Sequence, residues 1–460
     1  MKHLKKGVLF FALSFLFLAS CSDDENNETE MMTELTIAEL AASNSDLTTL
    51  VQALDRAELV TTLQGSGSFT VFAPTNAAFD SFLAANDFSS LDDVPTAVLT
   101  QVLLNHVVSG ENFSTDLATG YVSSLSTAGP NGRNLSLFIN TGSGVSINNA
   151  SVITADVDAA NGVVHVVDQV IGLPTIVDHA VNNPSFSQLV GALTANGNTT
   201  FTDLLSGTTT DYTVFAPVND AFTAFTNPND NDINNVLAYH VIPSTAAFSS
   251  ELMNMYVTTA GTNADGDALS QYINTDNGVS INGSSNVAVA DVVAVNGVVH
   301  AVDAVIDLPT VVTFAAADPN FSTLVQALTE LTPSVPFVDV LSAQDGNGND
   351  PFTVFAPTND AFSALAAIPA EADLIPILQH HVIAGANIRS NDLIEGGTTV
   401  TPATLEGDSF SITLPGTEGN IADVTDGAGN DGIGLIAVNV QANNGVIHVL
   451  DTVLLPDTTN

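Results

Sequence analysis

The chain has 460 residues, of which 50 are Asp or Glu and only 6 are Lys or Arg, so its formal net charge is −44 at pH 7. Because nucleic acids and anionic lipid surfaces are bound through Lys and Arg, this composition excludes nucleic-acid binding and electrostatic docking onto such membranes. Hydrophobic residues make up 45% of the chain, which is enough for buried cores and excludes disorder of the chain as a whole. The single Cys, Cys21, excludes an intramolecular disulfide.

Residues 1–20 have the pattern of a signal peptide, with three lysines near the N-terminus and an apolar run at 8–18. This run is shorter than the ~20 residues that cross a bilayer. The string Leu-Ala-Ser-Cys at 18–21 resembles the lipobox of bacterial lipoproteins, which implies that Cys21 carries a lipid such as palmitate and is the mature N-terminus. An ordinary secretory signal that contains a Cys is the alternative.

Residues 21–34 are polar and acidic, and such a tether is not expected to fold. The segment resembles the acidic signal that some Gram-negative bacteria place after the lipidated Cys to send lipoproteins to the cell surface. We therefore expect an outer-membrane lipoprotein exposed at the cell surface, with periplasmic retention as the alternative. Loss of residues 1–20 would leave three Arg, no Lys and all 50 acidic residues, a net charge of about −47.

Three marker strings recur in the same order and divide the rest of the chain into three copies. The first string is FTVFAPTNAAF at 69–79, with close matches at 212–222 and 352–362. The second is a His in a short apolar run, at His106, His240 and His381. The third is NGVVHVVD at 161–168, with close matches at 296–303 and 444–451. A repeat of ~140 residues can hold its own core, so we predict domains at 35–174, 175–309 and 310–456.

Each copy is predicted to contain the same elements in chain order. Apolar residues spaced i, i+3, i+4, i+7 predict a helix at its start, from Leu47 to Leu54 in copy one. The β-branched and aromatic residues 69–72 predict a strand, which the Pro that follows ends. A helix capped by Asn76 is expected next. The Asn-Gly pair that begins at Asn161 predicts a β-hairpin.

Together these strings resemble the fasciclin domain, and the resemblance extends over roughly residues 35–456. It implies an α+β fold of three tandem fasciclin domains, each a β-strand wedge with a cluster of small helices. It also implies an extracellular or cell-surface setting and adhesion to matrix or to other cells. The family's adhesion motif is a Tyr-His pair between apolar residues, and Tyr239 with His240 matches it in full. The other copies have Asn105-His106 and His380-His381 at this position.

Histidine is where metal or acid–base chemistry would appear, and two His fall on the repeated strings of each copy. Two are fewer than the three or four protein ligands of a zinc site. Since a requirement of the fold recurs in every copy, we expect structural histidines with buried ring hydrogen bonds: His106, His165, His300, His381 and His448. The sequence has no nucleophile elbow, phosphate-binding loop or dinucleotide fingerprint, so neither an enzyme nor a cofactor is expected.

Weak calcium binding is the alternative to a chain without metal. Asp345, Asn347 and Asn349 have the oxygen spacing with which a calcium loop begins. Asp350 and Ala356 stand where such a loop has Gly and Glu. A solvated turn is the other interpretation of this segment.

These patterns favour a lipid-anchored adhesion protein that binds extracellular matrix, other cells or surface polymer through its fasciclin domains. Contact with the membrane is expected through the lipid anchor only. The alternative is a carbohydrate or small-ligand binding module of a surface uptake system. The absence of Trp and the presence of only five Tyr count against stacking of sugars on aromatic rings. The acidic composition suits a saline exterior, where salt screens charge repulsion.

Overall fold

The computed structural model describes residues 34–65, 67–343 and 351–457. The predicted signal peptide, Cys21, most of the predicted tether and the calcium candidates Asp345, Asn347 and Asn349 lie outside the described residues. Each copy forms one seven-stranded sheet with small helices packed on it, which confirms the predicted α+β class. No helix in the described part of the chain is both long and apolar enough to cross a membrane.

Copy one has its strands in the order β2-β1-β7-β6-β5-β4-β3. Its elements are α1 Ile37–Ser43, α2 Thr48–Arg56, α3 Val60–Leu63, β1 Phe69–Pro74, α4 Asn76–Ala85, α5 Thr96–Leu104, β2 Val107–Ser109, β3 Gly120–Ser123, β4 Ser136–Asn140, β5 Ser146–Ile147, β6 Ala150–Ala159 and β7 Gly162–Val167. Short 3₁₀ turns lie at Ser45–Leu47, Leu91–Asp93 and Pro130–Gly132.

Copy two repeats this topology with the strand order β10-β11-β12-β13-β14-β8-β9. Its elements are α6 Ile176–Asn182, α7 Ser187–Leu193, α8 Thr200–Ser206, β8 Tyr212–Pro217, α9 Asn219–Ala224, α10 Ile233–Tyr239, β9 Val241–Pro243, β10 Met255–Thr262, β11 Ala268–Asn274, β12 Ser280–Ile281, β13 Ser285–Ala294 and β14 Gly297–Val302. Short 3₁₀ turns lie at Pro184–Phe186 and Ala195–Gly197.

Copy three has the strand order β16-β15-β21-β20-β19-β18-β17. Its elements are α11 Val311–Ala317, α12 Ser322–Gln326 continued by a π-helical turn at Ala327–Leu331, α13 Phe337–Ser342, β15 Phe352–Pro357, α14 Asn359–Ser363, α15 Glu371–His380, β16 Val382–Ala384, β17 Gly397–Val400, β18 Ser411–Leu414, β19 Ala422–Thr425, β20 Ile433–Ala442 and β21 Gly445–Leu450. Short 3₁₀ turns lie at Pro319–Phe321 and Ser390–Asp392.

The centre of each sheet is a parallel pair formed by the first and third marker strings, β1 and β7 in copy one. All six residues of β7 are buried, because helices cover one face of the sheet and a second apolar cluster around Phe72 covers the other. Strands buried on both faces are apolar throughout. Gly162 opens β7 so close to β1 that a Cβ there would lie 1.9 Å from the carbonyl oxygen of Phe69. Only Gly fits this position.

The Asn that begins helix α4, and that recurs in the other two copies, has a different role from the predicted cap. The N-cap of α4 is Thr75, whose hydroxyl accepts from the N–H of Ala78. Asn76 is the first helical residue, and its side chain accepts from the N–H of Thr49 at 2.8 Å and donates to the carbonyl of Ser45 at 2.9 Å. The predicted cap at Asn76 is therefore wrong, because this side chain ties α4 to the start of α2.

The Asn of the hairpin turn also joins distant segments. Asn161 accepts from the N–H of Ile37 at 2.9 Å and donates to the carbonyls of Leu63 and Gly65. Asn296 and Asn444 make the equivalent three bonds in the other copies. One amide side chain thus fixes the helical layer against the central strands in every copy.

Candidate functional site

The histidine of the second marker string lies at the end of a helix and is fully enclosed in each copy. In copy one, His106 Nδ1 donates to the carbonyl of Val102 at 2.8 Å, and its Nε2 accepts from the N–H of Ile171 at 2.9 Å. His240 and His381 make the same two contacts. Burial lowers the pKa of all three rings to about 4. Each ring is neutral at pH 7, with both nitrogens bonded to backbone.

The histidine of the third marker string lies on the central strand and stacks on a Phe of its partner strand. His165 stacks on Phe72 with ring centroids 5.7 Å apart, and its Nε2 donates to the carbonyl of Asn112 at 3.0 Å. His300 and His448 repeat the stack and the contact to the loop carbonyl. The ring therefore holds in place the loop that follows β2, β9 or β16.

The acidic residue beside this histidine holds the same loop. Asp156 sits in a β-bulge with φ of 59°, a conformation that Asp and Asn tolerate. Its carboxylate accepts from the N–H and hydroxyl of Ser114, which lowers the pKa of Asp156. Asn439 in copy three accepts from the N–H of Ser390 in the same way. Because an amide oxygen accepts this bond as a carboxylate oxygen does, the residue at this position holds the loop in place.

The candidate adhesion pair Tyr239–His240 lies inside copy two. The side chain of Tyr239 is fully buried, its hydroxyl donates to the carbonyl of Ser270 at 2.6 Å, and it accepts from Nδ2 of Asn282 at 2.8 Å. Burial raises the pKa of Tyr239 well above its usual range. A partner could contact this pair only after local opening of the domain, and its role in adhesion stays a prediction.

The residue before the second-string histidine differs in each of the three copies. Asn105 donates to the carbonyl of Gly172 at 2.7 Å, whereas His380 of copy three lies near Glu406, Nδ1 to Oε2, at 3.3 Å. Gly427 donates its N–H to His380 Nε2 at 3.3 Å. The pKa of His380 is lowered, mainly by burial and against the influence of Glu406. This ring fastens the loops that are longer in copy three.

Within the described ranges, no group of three or more His, Cys, Asp or Glu is placed to hold a metal ion. The loop carboxylate of Asp426 is used by Asn430 and by the N–H of Leu455, with distances of 2.8–2.9 Å. The acidic turn of copy two is also committed, because Asp267 accepts from Arg389 and Asn387 of copy three. The carboxylates of Asp426 and Asp267 thus have protein partners.

The boundaries between copies are built alike. Ser136 on β4 accepts a hydrogen bond from the N–H of Val293 in copy two at 2.9 Å. Ser270 on β11 accepts from the N–H of Gln441 in copy three at 3.0 Å. Beside these bonds, Tyr121 packs edge-on against His179, and Tyr256 packs against Phe314. The end of the sheet that contains β4 or β11 in one copy therefore docks on the hairpin of the next copy.

Each boundary also holds one ion pair, and the two pairs are reversed. Arg133 Nη2 lies 2.8 Å from Glu251 Oε1, and its guanidinium stacks on Phe248 at 4.4 Å. At the second boundary Asp267 takes the place of Arg133, since each lies three residues before the boundary serine. Asp267 pairs with Arg389 of copy three. Arg389 in turn takes the place of Phe248. The sequence alone did not predict these ion pairs. Arg133 and Arg389 are nevertheless two of only three Arg in a very acidic chain, and this rarity was a signal.

Comparison with protein families matches the fasciclin domain model to residues 45–174, 184–309 and 319–456. Protein sll1483 of Synechocystis sp. is 44% identical over 137 residues, which are 30% of this chain and 73% of that protein. Human periostin is 28% identical over 367 residues, 76% of this chain but 40% of periostin. The cell surface glycolipoprotein MPB83 of Mycobacterium bovis is 34% identical over 153 residues, 32% of this chain and 60% of MPB83.

Among solved structures, the chain is similar to a FAS1 domain pair from the insect cell adhesion molecule fasciclin I. Sequence identity is 19%, the TM-score is 0.39, and the match covers 58% of this chain and 98% of that one.

Proposed function

Because the chain belongs to the fasciclin domain family, we propose that it is a surface adhesion protein, anchored by a lipid on Cys21, that presents three linked domains to matrix, cells or surface polymer. The observation that supports the proposal is the specific set of contacts at each boundary between copies. Serine-to-backbone bonds, stacked rings and an ion pair join each domain to the next. Such an array offers several equivalent surfaces at fixed spacing, and multivalent contact strengthens weak binding.

Relatives support the setting but not the partner. MPB83 is named as a cell surface glycolipoprotein, which agrees with lipid anchoring and surface display of this chain. The proposal includes no catalytic step, since the repeated histidines use their rings to bond backbone groups of loops and strands. The alternative of a carbohydrate-binding module stays a prediction.

The test compares bacteria that carry the native gene, a deletion, or the Cys21→Ser variant. We expect both changes to reduce attachment to matrix-coated surfaces or to other cells, because Cys21→Ser keeps the domains but removes the anchor. Protease treatment of intact cells should degrade the native protein if it lies outside the cell. Attachment that equals the wild type in both strains would contradict the proposal.

A further inference from the structure

Copy one contains a cavity of about 430 Å³ that none of the repeated motifs requires. It lies between β1, β2, β3 and the segment 112–120. Small-molecule sites typically have volumes of roughly 300–1,000 Å³. The cavity therefore has room for a compact organic ligand.

The floor of the cavity is apolar and firmly held. Phe72, Val108 and Ile139 contribute to it. The ring of Phe72 is stacked on His165, which is itself bonded to the carbonyl of Asn112 in the cavity wall. Because floor and wall are tied to one another, the cavity is largely formed before any ligand arrives.

The rim of the cavity offers hydrogen-bond acceptors. Asn112 donates both its backbone N–H and its Nδ2 to Thr70 Oγ1 at 2.9 Å, which leaves Oδ1 as the remaining polar atom of its side chain. Asp116 adds an exposed carboxylate, and Thr119 adds a hydroxyl shared with Thr141. The residues that line the cavity include neither Lys nor Arg.

We propose that this cavity binds the ammonium group of an organic cation whose alkyl or aryl body lies on the apolar floor. An ammonium supplies three donors and no acceptor, which matches the acceptors of Asp116 and Asn112. The net charge of −44 draws cations towards the protein and repels anionic ligands of the same shape.

The methyl group of Ala118 in the cavity wall allows binding to be observed directly. The full chain, labelled with ¹³C at alanine, valine and isoleucine methyl groups, is titrated with phenethylammonium at low salt. The neutral 2-phenylethanol and the anionic 3-phenylpropionate serve as probes of the same body. We expect saturable shifts at Ala118, Val122 and Ile139 with the cation, at least fivefold weaker binding of the alcohol, and none of the anion.

Two variants separate the site from the fold. Asp116→Asn keeps the shape of an exposed side chain and should weaken binding of the cation by on the order of threefold to tenfold, as expected for a partly exposed charge-assisted contact. Val122→Phe places a ring in the cavity and should abolish the shifts. The matched control Val257→Phe, at the same position of copy two, should leave binding at Ala118 unchanged.

The possible outcomes decide the proposal. Equal binding of the alcohol, or no effect of Asp116→Asn, would overturn the cationic class of ligand. Absence of shifts at Ala118, or shifts that persist in Val122→Phe, would overturn the site itself. None of these results depends on adhesion, because the readout is local to copy one.

Discussion

The guanidinium of Arg133 in copy one lies 2.8 Å from the carboxylate of Glu251 in copy two. Both side chains are about half exposed, so the ion pair alone contributes roughly 0–1 kcal/mol. The contact of the same guanidinium with the ring of Phe248 adds apolar area and a cation–π term. Arg133 therefore contributes more to the relative orientation of the two copies than to their stability.

Replacement of Arg133 by Ala is expected to loosen the boundary between copies one and two without unfolding either. Distances between spin labels placed on the two copies should become more widely distributed, while the melting temperature changes by only a few degrees. Arg56→Ala is the control, since Arg56 bonds the carbonyls of Leu91 and Asp92 within copy one. A distance distribution that broadens equally in the control would contradict the assigned role.

The buried histidines are expected to make the protein less stable in mild acid. Their ordinary pKa is 6.5, and burial lowers the pKa of five of them to about 4. The unfolded chain therefore takes up protons below pH 6.5, while the folded chain does not until about pH 4. Between pH 6.5 and pH 5 each of these rings should therefore lower the unfolding free energy by roughly 1.5 kcal/mol. Denaturant unfolding at several pH values measures this loss.

A single substitution isolates one of these rings. His179 stands where copy three has Phe314, and its Nε2 donates to the carbonyl of Val293. His179→Phe should therefore be tolerated and should reduce the slope of stability against pH between 6.5 and 5. An unchanged slope would show that His179 titrates normally in the folded chain.

Gly162→Ala is expected to destabilise copy one by more than about 2 kcal/mol. Its φ of 142° is unfavourable for other residues, and the added Cβ would collide with the carbonyl oxygen of Phe69. Gly191→Ala on helix α7 is the matched control, because a Cβ there meets no atom within 4 Å. This control should instead stabilise the protein by about 0.5–1 kcal/mol. Thermal unfolding of both variants checks the prediction.

Tyr239→Phe distinguishes an adhesive role from a structural role for the tyrosine hydroxyl. The variant loses the bond to the carbonyl of Ser270 and leaves the amide of Asn282 without that acceptor. We expect a loss of about 1–3 kcal/mol in the unfolding free energy. Attachment of cells should stay normal at temperatures where the variant is folded. Reduced attachment by a fully folded variant would instead support direct recognition of the hydroxyl.

The periodicity of the sequence predicted the elements near Leu47, Phe69 and Asn161 because apolar spacing and turn residues are local signals. The predicted cap at Asn76 was wrong because it, too, rested on a local signal alone. A cap and an inter-helix tie use the same side chain, and only the distance to Thr49 separates them. The cavity in copy one was also out of reach, since its walls come from β1 and β3, about fifty residues apart in the chain.

The reversed ion pairs at the two boundaries bear on how this gene can change. Recombination between the repeats that deleted copy two would bring Arg133 opposite Arg389, while duplication of copy two would set Asp267 opposite Phe248 and Glu251. The duplication product would lose its ion pair and set the carboxylates of Asp267 and Glu251 against each other. In the deletion product Arg133 would meet Arg389 as well as Asp392, which takes the place of Glu251. The few arginines of the chain thus make the two boundaries chemically different, so that the copies are not interchangeable along the chain.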